Sequence, residues 1–265
     1  MTSTTSTALS LRRDYLNGHR RMIVGRTVAA TVAGSLPVPF LDDWLVGNLL
    51  GGAYRRIAAE RQVDLDAAAI TNLVHGRTAP AALESMAAAA ISFRLAGKAW
   101  KRMIFAVTAA RRARAAARTF LRITLFDHYC TRLHTGLGLD GDRALIVHDL
   151  IVRALDETPG SFSFEPFRRG ALAAARATVK APLELADIVT GGAVRRFLEK
   201  RNPVAEATAV SELESAIDQQ LAASSSFLGR AVTAIELQLS AEVNPYLDSA
   251  IERFDRLWRE REALT

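Results

Sequence analysis

The side chains that could do chemistry are few and scattered. Five histidines, His19, His75, His128, His134 and His148, stand apart along the chain. None forms the HxxxH or HExxH spacing that sets two imidazoles on one helix face for zinc. Asp127-His128 and His148-Asp149 are adjacent pairs, whose members point to different sides of a helix. The histidines are therefore expected at the surface or in the core rather than as ligands. One cysteine, Cys130, excludes an intramolecular disulfide framework and a cysteine-rich zinc module. A nucleophilic thiol would need a base, and His134 is its same-face neighbour at four residues; an inert core cysteine is the plainer reading. Asp42 and Asp43 form a carboxylate pair that capping of a helix start explains. Gly47, Gly51 and Gly52 lack the following Lys-Ser/Thr and the preceding strand of a phosphate loop. The chain thus yields no catalytic, cofactor-binding or metal-ligating set, and a non-enzymatic protein is expected.

Charge gives the stronger signal. The 265 residues carry 34 basic and 28 acidic side chains, a formal balance of +6. Residues 1–135 hold 19 basic and 8 acidic groups, and residues 136–265 hold 15 and 20. The excess is concentrated between Ser85 and Phe126, where Arg94, Lys98, Lys101, Arg102, Arg111, Arg112, Arg114, Arg118 and Arg122 meet no acid. Phe93, Trp100, Met103, Phe105 and Phe120 are interleaved with them. A basic amphipathic helix with aromatic residues can lie in a membrane interface, its long side chains reaching the phosphates. The competing reading docks this block against the acidic second half. Nucleic acid is not expected as the partner, because no helix-turn-helix, zinc or RNA-binding signature accompanies the charge.

The second candidate feature is apolar. Thr27–Leu41 contains no charge but includes Pro37 and Pro39, with Phe40 beside them. Asp42 and Asp43 follow, and a second uncharged run extends from Trp44 to Tyr54. Two short apolar arms around a Pro-Val-Pro bend make a helical hairpin, either buried in the protein or dipping into one leaflet. No uninterrupted apolar stretch reaches the roughly 18 residues of a simple spanning helix. Residues 1–8 are polar, of low complexity and expected to form a disordered tail. The start has no apolar core of signal-peptide type. A Ser/Thr/Arg-rich, acid-poor start also resembles an organellar transit peptide, although the Ala/Arg-heavy composition suits a bacterial chain.

These features must be carried by helices. Ala, Leu, Arg and Glu dominate, and period-two runs of β-branched residues are almost absent. The expected class is an all-α multi-helix bundle, with two pseudo-repeated halves as one arrangement: a basic half at 9–135 and an acidic half at 136–265. A first helix is expected over 9–35, weakened by Gly18, Gly25 and Gly34, and a second over 42–62. Asp64 is read as the cap of a short third helix ending at His75-Gly76. A change of basic face near Val107–Ala110 suggests a bend or break there. The turn at Gly136–Asp142 separates the halves, and a helix follows to about Asp156. Helices resume after a loop at 158–164, with breaks at Pro182, Asn202-Pro203, Ser224–Ser226 and Asn244-Pro245. The segment Pro245–Arg261 reads as an amphipathic packing helix, with Tyr246, Ile251, Phe254, Leu257 and Trp258 on one stripe.

Gly51–Arg61 aligns with Gly191–Arg201 at six of eleven identical positions. This is either a coincidence of Ala/Arg-rich helices or a duplication in which paired glycines admit a neighbouring helix. The segment Gly34-Ser-Leu-Pro-Val-Pro-Phe-Leu-Asp-Asp-Trp44, with the helix leading to Gln62-Val-Asp-Leu65, resembles the EcsC-like bacterial proteins and a related helical domain found beside some GTPases. The resemblance covers about residues 25–75, and Gln62–Leu65 departs from the family's Tyr-Gly-like continuation. It implies a helical, often membrane-associated protein and brings no catalytic residues. The leading expectation is a peripheral membrane-associated or scaffold protein on the cytoplasmic side. The alternative is a soluble helical adaptor for a protein partner such as a GTPase.

Overall fold

In the computed structural model, the described residues are 3–33, 41–78, 101–160, 162–163, 166–167, 203–241 and 245–264. They form eight helices: α1 (Ser3–Ala33), α2 (Leu41–Glu60), α3 (Ala67–His75), α4 (Lys101–Arg132), α5 (Gly141–Glu157), α6 (Pro203–Ala222), α7 (Phe227–Ala241) and α8 (Pro245–Glu262). The all-α bundle expected from composition is what the chain builds. Its only strands among the described residues are two-residue pieces, β1 (Asp64–Leu65) and β2 (Gly138–Leu139), paired in parallel.

Two helices sit at the centre. Met22–Ala30 of α1 and Ile123–Cys130 of α4 are buried at every position, which is the pattern of a helix surrounded by others rather than one with a solvent face. Helices α2, α6 and α7 pack on α1, while α5 and α8 pack on α4. Leu213, Ile217, Leu221, Leu228, Val232 and Ile235 bring α6 and α7 into the same hydrophobic core as α1 and α2. Residues from both sides of the turn at Gly136–Asp142 belong to this one core. The helix α8 packs through Leu247, Ala250, Ile251, Phe254, Leu257 and Trp258, close to the stripe read from its sequence.

Several local expectations change. Helix α1 begins at Ser3, inside the segment expected as a disordered tail. Gly25 is the place where Leu221 packs, so that a Cβ there would collide with the leucine. Helix α4 continues through 107–110 without a break, because nothing between Lys101 and Arg132 lacks an N–H or a Cβ. The cap of α3 is Asp66, accepting from the Ala69 amide at 2.5 Å, and not Asp64, whose backbone pairs with β2. Asp140 does the same for α5, accepting from Arg143 N at 2.8 Å. The order helix, turn, short strand, Asp cap, helix thus occurs twice, at α2–β1–α3 and α4–β2–α5. The second copy of the repeat read at 191–201 lies outside the described residues, as does the break read at Pro182.

Candidate functional site

The basic block divides along α4. Arg94 and Lys98 lie outside the described residues, and for Lys101 and Arg102 the helix backbone alone is described. Arg111 and Arg114 are exposed. Arg112 is partly buried, and desolvation pushes its guanidinium below the ordinary value. One turn further on the role changes. Arg118 donates to Asp156 of α5 at 2.6 Å. Arg122 donates to His148 and lies 3.4 Å from the Val74 carbonyl. Along α4 the block is thus exposed at Arg111 and Arg114 and docked on α5 at Arg118 and Arg122.

Both arms of the hairpin are described in part: residues 27–33 belong to α1, with Thr27, Val28, Ala29, Ala30 and Ala33 buried. Pro37, Pro39 and Phe40 lie outside the described residues, and Asp42 and Asp43 sit in the first turn of α2 without described side chains. Trp44 is partly buried and packs against the core, followed by buried Leu45, Leu49 and Leu50. The arm Trp44–Tyr54 is therefore a core element along most of its length. Gly51 and Gly52 do admit close neighbours. A Cβ on Gly51 would stand 3.1 Å from Ile70 of α3, and one on Gly52 would collide with the Arg26 guanidinium of α1.

A buried polar network lies deeper, where sequence reading placed only ordinary histidines. His19 on α1 has both ring nitrogens on carboxylates: Nδ1 on Asp127 at 2.8 Å and Nε2 on Glu60 at 2.7 Å. Asp127 is fully buried on α4, and its second oxygen accepts from Arg61 Nε at 2.9 Å. Arg61 also donates to the Tyr15 carbonyl at 2.9 Å. Next to it, the Tyr15 hydroxyl meets His128 Nδ1, and His128 Nε2 bonds Asp255 of α8 at 2.7 Å. The adjacent pair Asp127-His128 therefore serves two networks, one toward α2 and one toward α8. Single-sequence spacing cannot reveal this, because the partners are 41 to 127 residues apart.

The second network opens on a cavity of about 420 Å3, walled by Tyr15, His128, Arg132, Asp248, Glu252 and Asp255. The Arg132 guanidinium lies 4.9 Å over the Tyr15 ring, within the range of a cation–π contact. Burial pushes the Tyr15 phenol up to about 12, with Arg132 opposing it. Burial also pushes the Cys130 thiol up, with Asp127 adding to the effect. Neither group is the readily ionised nucleophile that covalent chemistry would need at neutral pH. His134, hydrogen-bonded to Tyr129 at 3.1 Å, is held low mainly by desolvation. Among the described residues no cluster of three or more His, Cys, Asp or Glu side chains is arranged to hold a metal ion. No helix of the described residues is long and apolar enough to cross a membrane.

Compared with protein-family models, curated proteins and solved structures, the chain matches none.

Proposed function

We propose that this is a non-enzymatic, peripheral membrane-associated or scaffold protein that binds an anionic surface through the N-terminal part of α4, at the inner face of the cytoplasmic membrane. The observation that carries the reading is the exposure of Arg111 and Arg114 in a run that contains no acid from Ser85 to Phe126. Arg118 and Arg122, at the other end of the run, are engaged by α5. Each basic side chain held near an anionic leaflet contributes about 1 kcal/mol, so an acid-free run that also contains Arg94, Lys98, Lys101 and Arg102 in its sequence suits reversible attachment. The apolar segment with Pro37, Pro39 and Phe40 would add insertion, and the EcsC-like resemblance of 25–75 is in keeping with it.

Flotation with phosphatidylserine-containing and with neutral phosphatidylcholine vesicles tests this. The expected result is flotation with the anionic vesicles only, weakened by salt because exposed charges are screened. The double variant R111E/R114E should stay at the bottom of the gradient while keeping its helical circular dichroism. Absence of the wild-type chain from both vesicle fractions overturns the reading. Retention of one protein partner without lipid would then favour the helical adaptor.

A further inference from the structure

His19 is placed where only one protonation state fits. A neutral imidazole has one N–H and one lone pair, and an imidazolium has two donors. Both ring nitrogens of His19 face carboxylate oxygens, which accept and do not donate when ionised. A neutral ring would turn its lone pair toward one of these oxygens. The two carboxylates differ in their freedom to respond. Asp127 is fully buried and fixed from its other side by Arg61. Glu60 is the last residue of α2 and about half exposed (51 %), and it has Arg56 Nε at 3.3 Å as a second partner.

We infer that His19 is a protonation latch that joins α1 to both α4 and the end of α2 as an imidazolium, and that on losing a proton it keeps Asp127 and releases Glu60. The neutral ring is then the Nδ1–H tautomer. Released Glu60 turns to water and Arg56, so the end of α2 loses its tie to α1 while α1 stays tied to α4.

The charged groups around the ring are consistent with this order. From α2 come Glu60, with Arg56 behind it, and from the following turn Arg61. From α4 comes Asp127, with the Cys130 thiol near it. Glu236 of α7 and Glu214 and Asp218 of α6 pair with Arg21, Arg55 and Arg56, and Asp255 of α8 with His128. The hydrogen bond to Asp127 raises the His19 proton affinity most, burial opposes it, and Glu60 adds to it. The folded value therefore lies above the unfolded one. The latch contributes in full below the unfolded value of about 6.5 and is lost as pH rises through the folded value.

Long-range proton–nitrogen NMR of the intact 15N-labelled chain, from about pH 6 to about pH 9 across the histidine range, reads the protons directly. At the acid end both ring nitrogens of His19 should carry protons, at a pH where His134 and His148 have begun to lose theirs, since desolvation lowers both. With rising pH Nε2 should lose its proton and Nδ1 keep it. In Glu60→Gln, which changes an exposed side chain and leaves the core intact, the midpoint should fall and the Nδ1–H tautomer persist. A His19 ring that titrates to the Nε2–H tautomer overturns the latch, as does a midpoint unmoved by Glu60→Gln.

Discussion

Arginine is used in two ways in the first half of this chain. On α1 and α2, Arg21 pairs with Glu236, Arg55 with Glu214 and Arg56 with Asp218, all on α6 or α7. Arg26, 2 % exposed, lies 3.8 Å from Asp218. On the N-terminal part of α4, Arg111 and Arg114 face outward. The side chains are the same, and the first group meets acids that α6 and α7 bring. Residues 203–241 contain five acids and one arginine, whereas the run around Arg111 contains no acid over forty-two residues. A net charge summed over half a sequence therefore mixes charge paired between buried helices with charge exposed at the surface. Within the basic block itself the two uses meet on one helix: Arg118 pairs with Asp156 of α5, while Arg111 and Arg114 are exposed.

The sharpest way to break the inward-facing part is to remove an acid at its centre. Asp127 is fully buried and takes hydrogen bonds from His19 and Arg61. In Asp127→Ala, both cationic partners lose their buried counter-charge. Breaking such a buried pair costs about 3–5 kcal/mol, which should appear as a large drop in the urea midpoint. A loss under about 1 kcal/mol, the level of an exposed pair, would mean that this network does not hold α1 to α4.

A smaller effect is expected where space rather than charge is removed. Arg26 fits because Gly52 of α2 has no side chain: a Cβ there would collide with Arg26 Nη1 and stand 2.8 Å from Glu214 Oε1. The Arg26 Nε and Nη1 atoms are buried without a hydrogen-bond partner, and burial pushes the guanidinium below its ordinary value against the pull of Glu214 and Asp218. Gly52→Ala should cost about 1–3 kcal/mol through overpacking. Gly18→Ala is the control, since nothing lies within 4 Å of that position and the site is exposed on α1. It should stabilise by about 0.5–1 kcal/mol through helix propensity. Equal signs for the two substitutions, measured by thermal melting, would remove the argument that Gly52 makes room for Arg26.

Much of the architecture was legible because it follows from local rules. Helix composition, Pro203 and Pro245 at helix starts and the positive-φ Gly76 after α3 all act within a few residues. Asp64 and Asp66 show where such rules end. Both precede an Ala-rich helix, and the choice of Asp66 as cap depends on the pairing of Asp64-Leu65 with Gly138-Leu139, over seventy residues away. The candidate site divides in the same way. The acid-free run is visible by inspection, but which of its arginines are engaged depends on Asp156 and His148 of α5. His19, Asp127 and Glu60 carry no shared motif, because three helices must pack before the three side chains meet.

The smallest predicted effect tests the division of α4 itself. Arg118 and Asp156 are each about half exposed, 48 % and 54 % for their side chains, and sit 2.6 Å apart. An exposed pair of this kind gains little Coulomb energy in water, loses side-chain freedom and is screened by salt, so it contributes about 0–1 kcal/mol. Arg118→Ala should therefore hardly move the urea midpoint. It should also leave flotation with anionic vesicles near the wild-type level, because that guanidinium is directed at α5. The contrast with R111E/R114E is the point of the measurement. If Arg118→Ala weakened vesicle binding as strongly as reversal of Arg111 and Arg114, Arg118 would belong to the external face, and the boundary between docked and outward charge would have to move C-terminally along the helix.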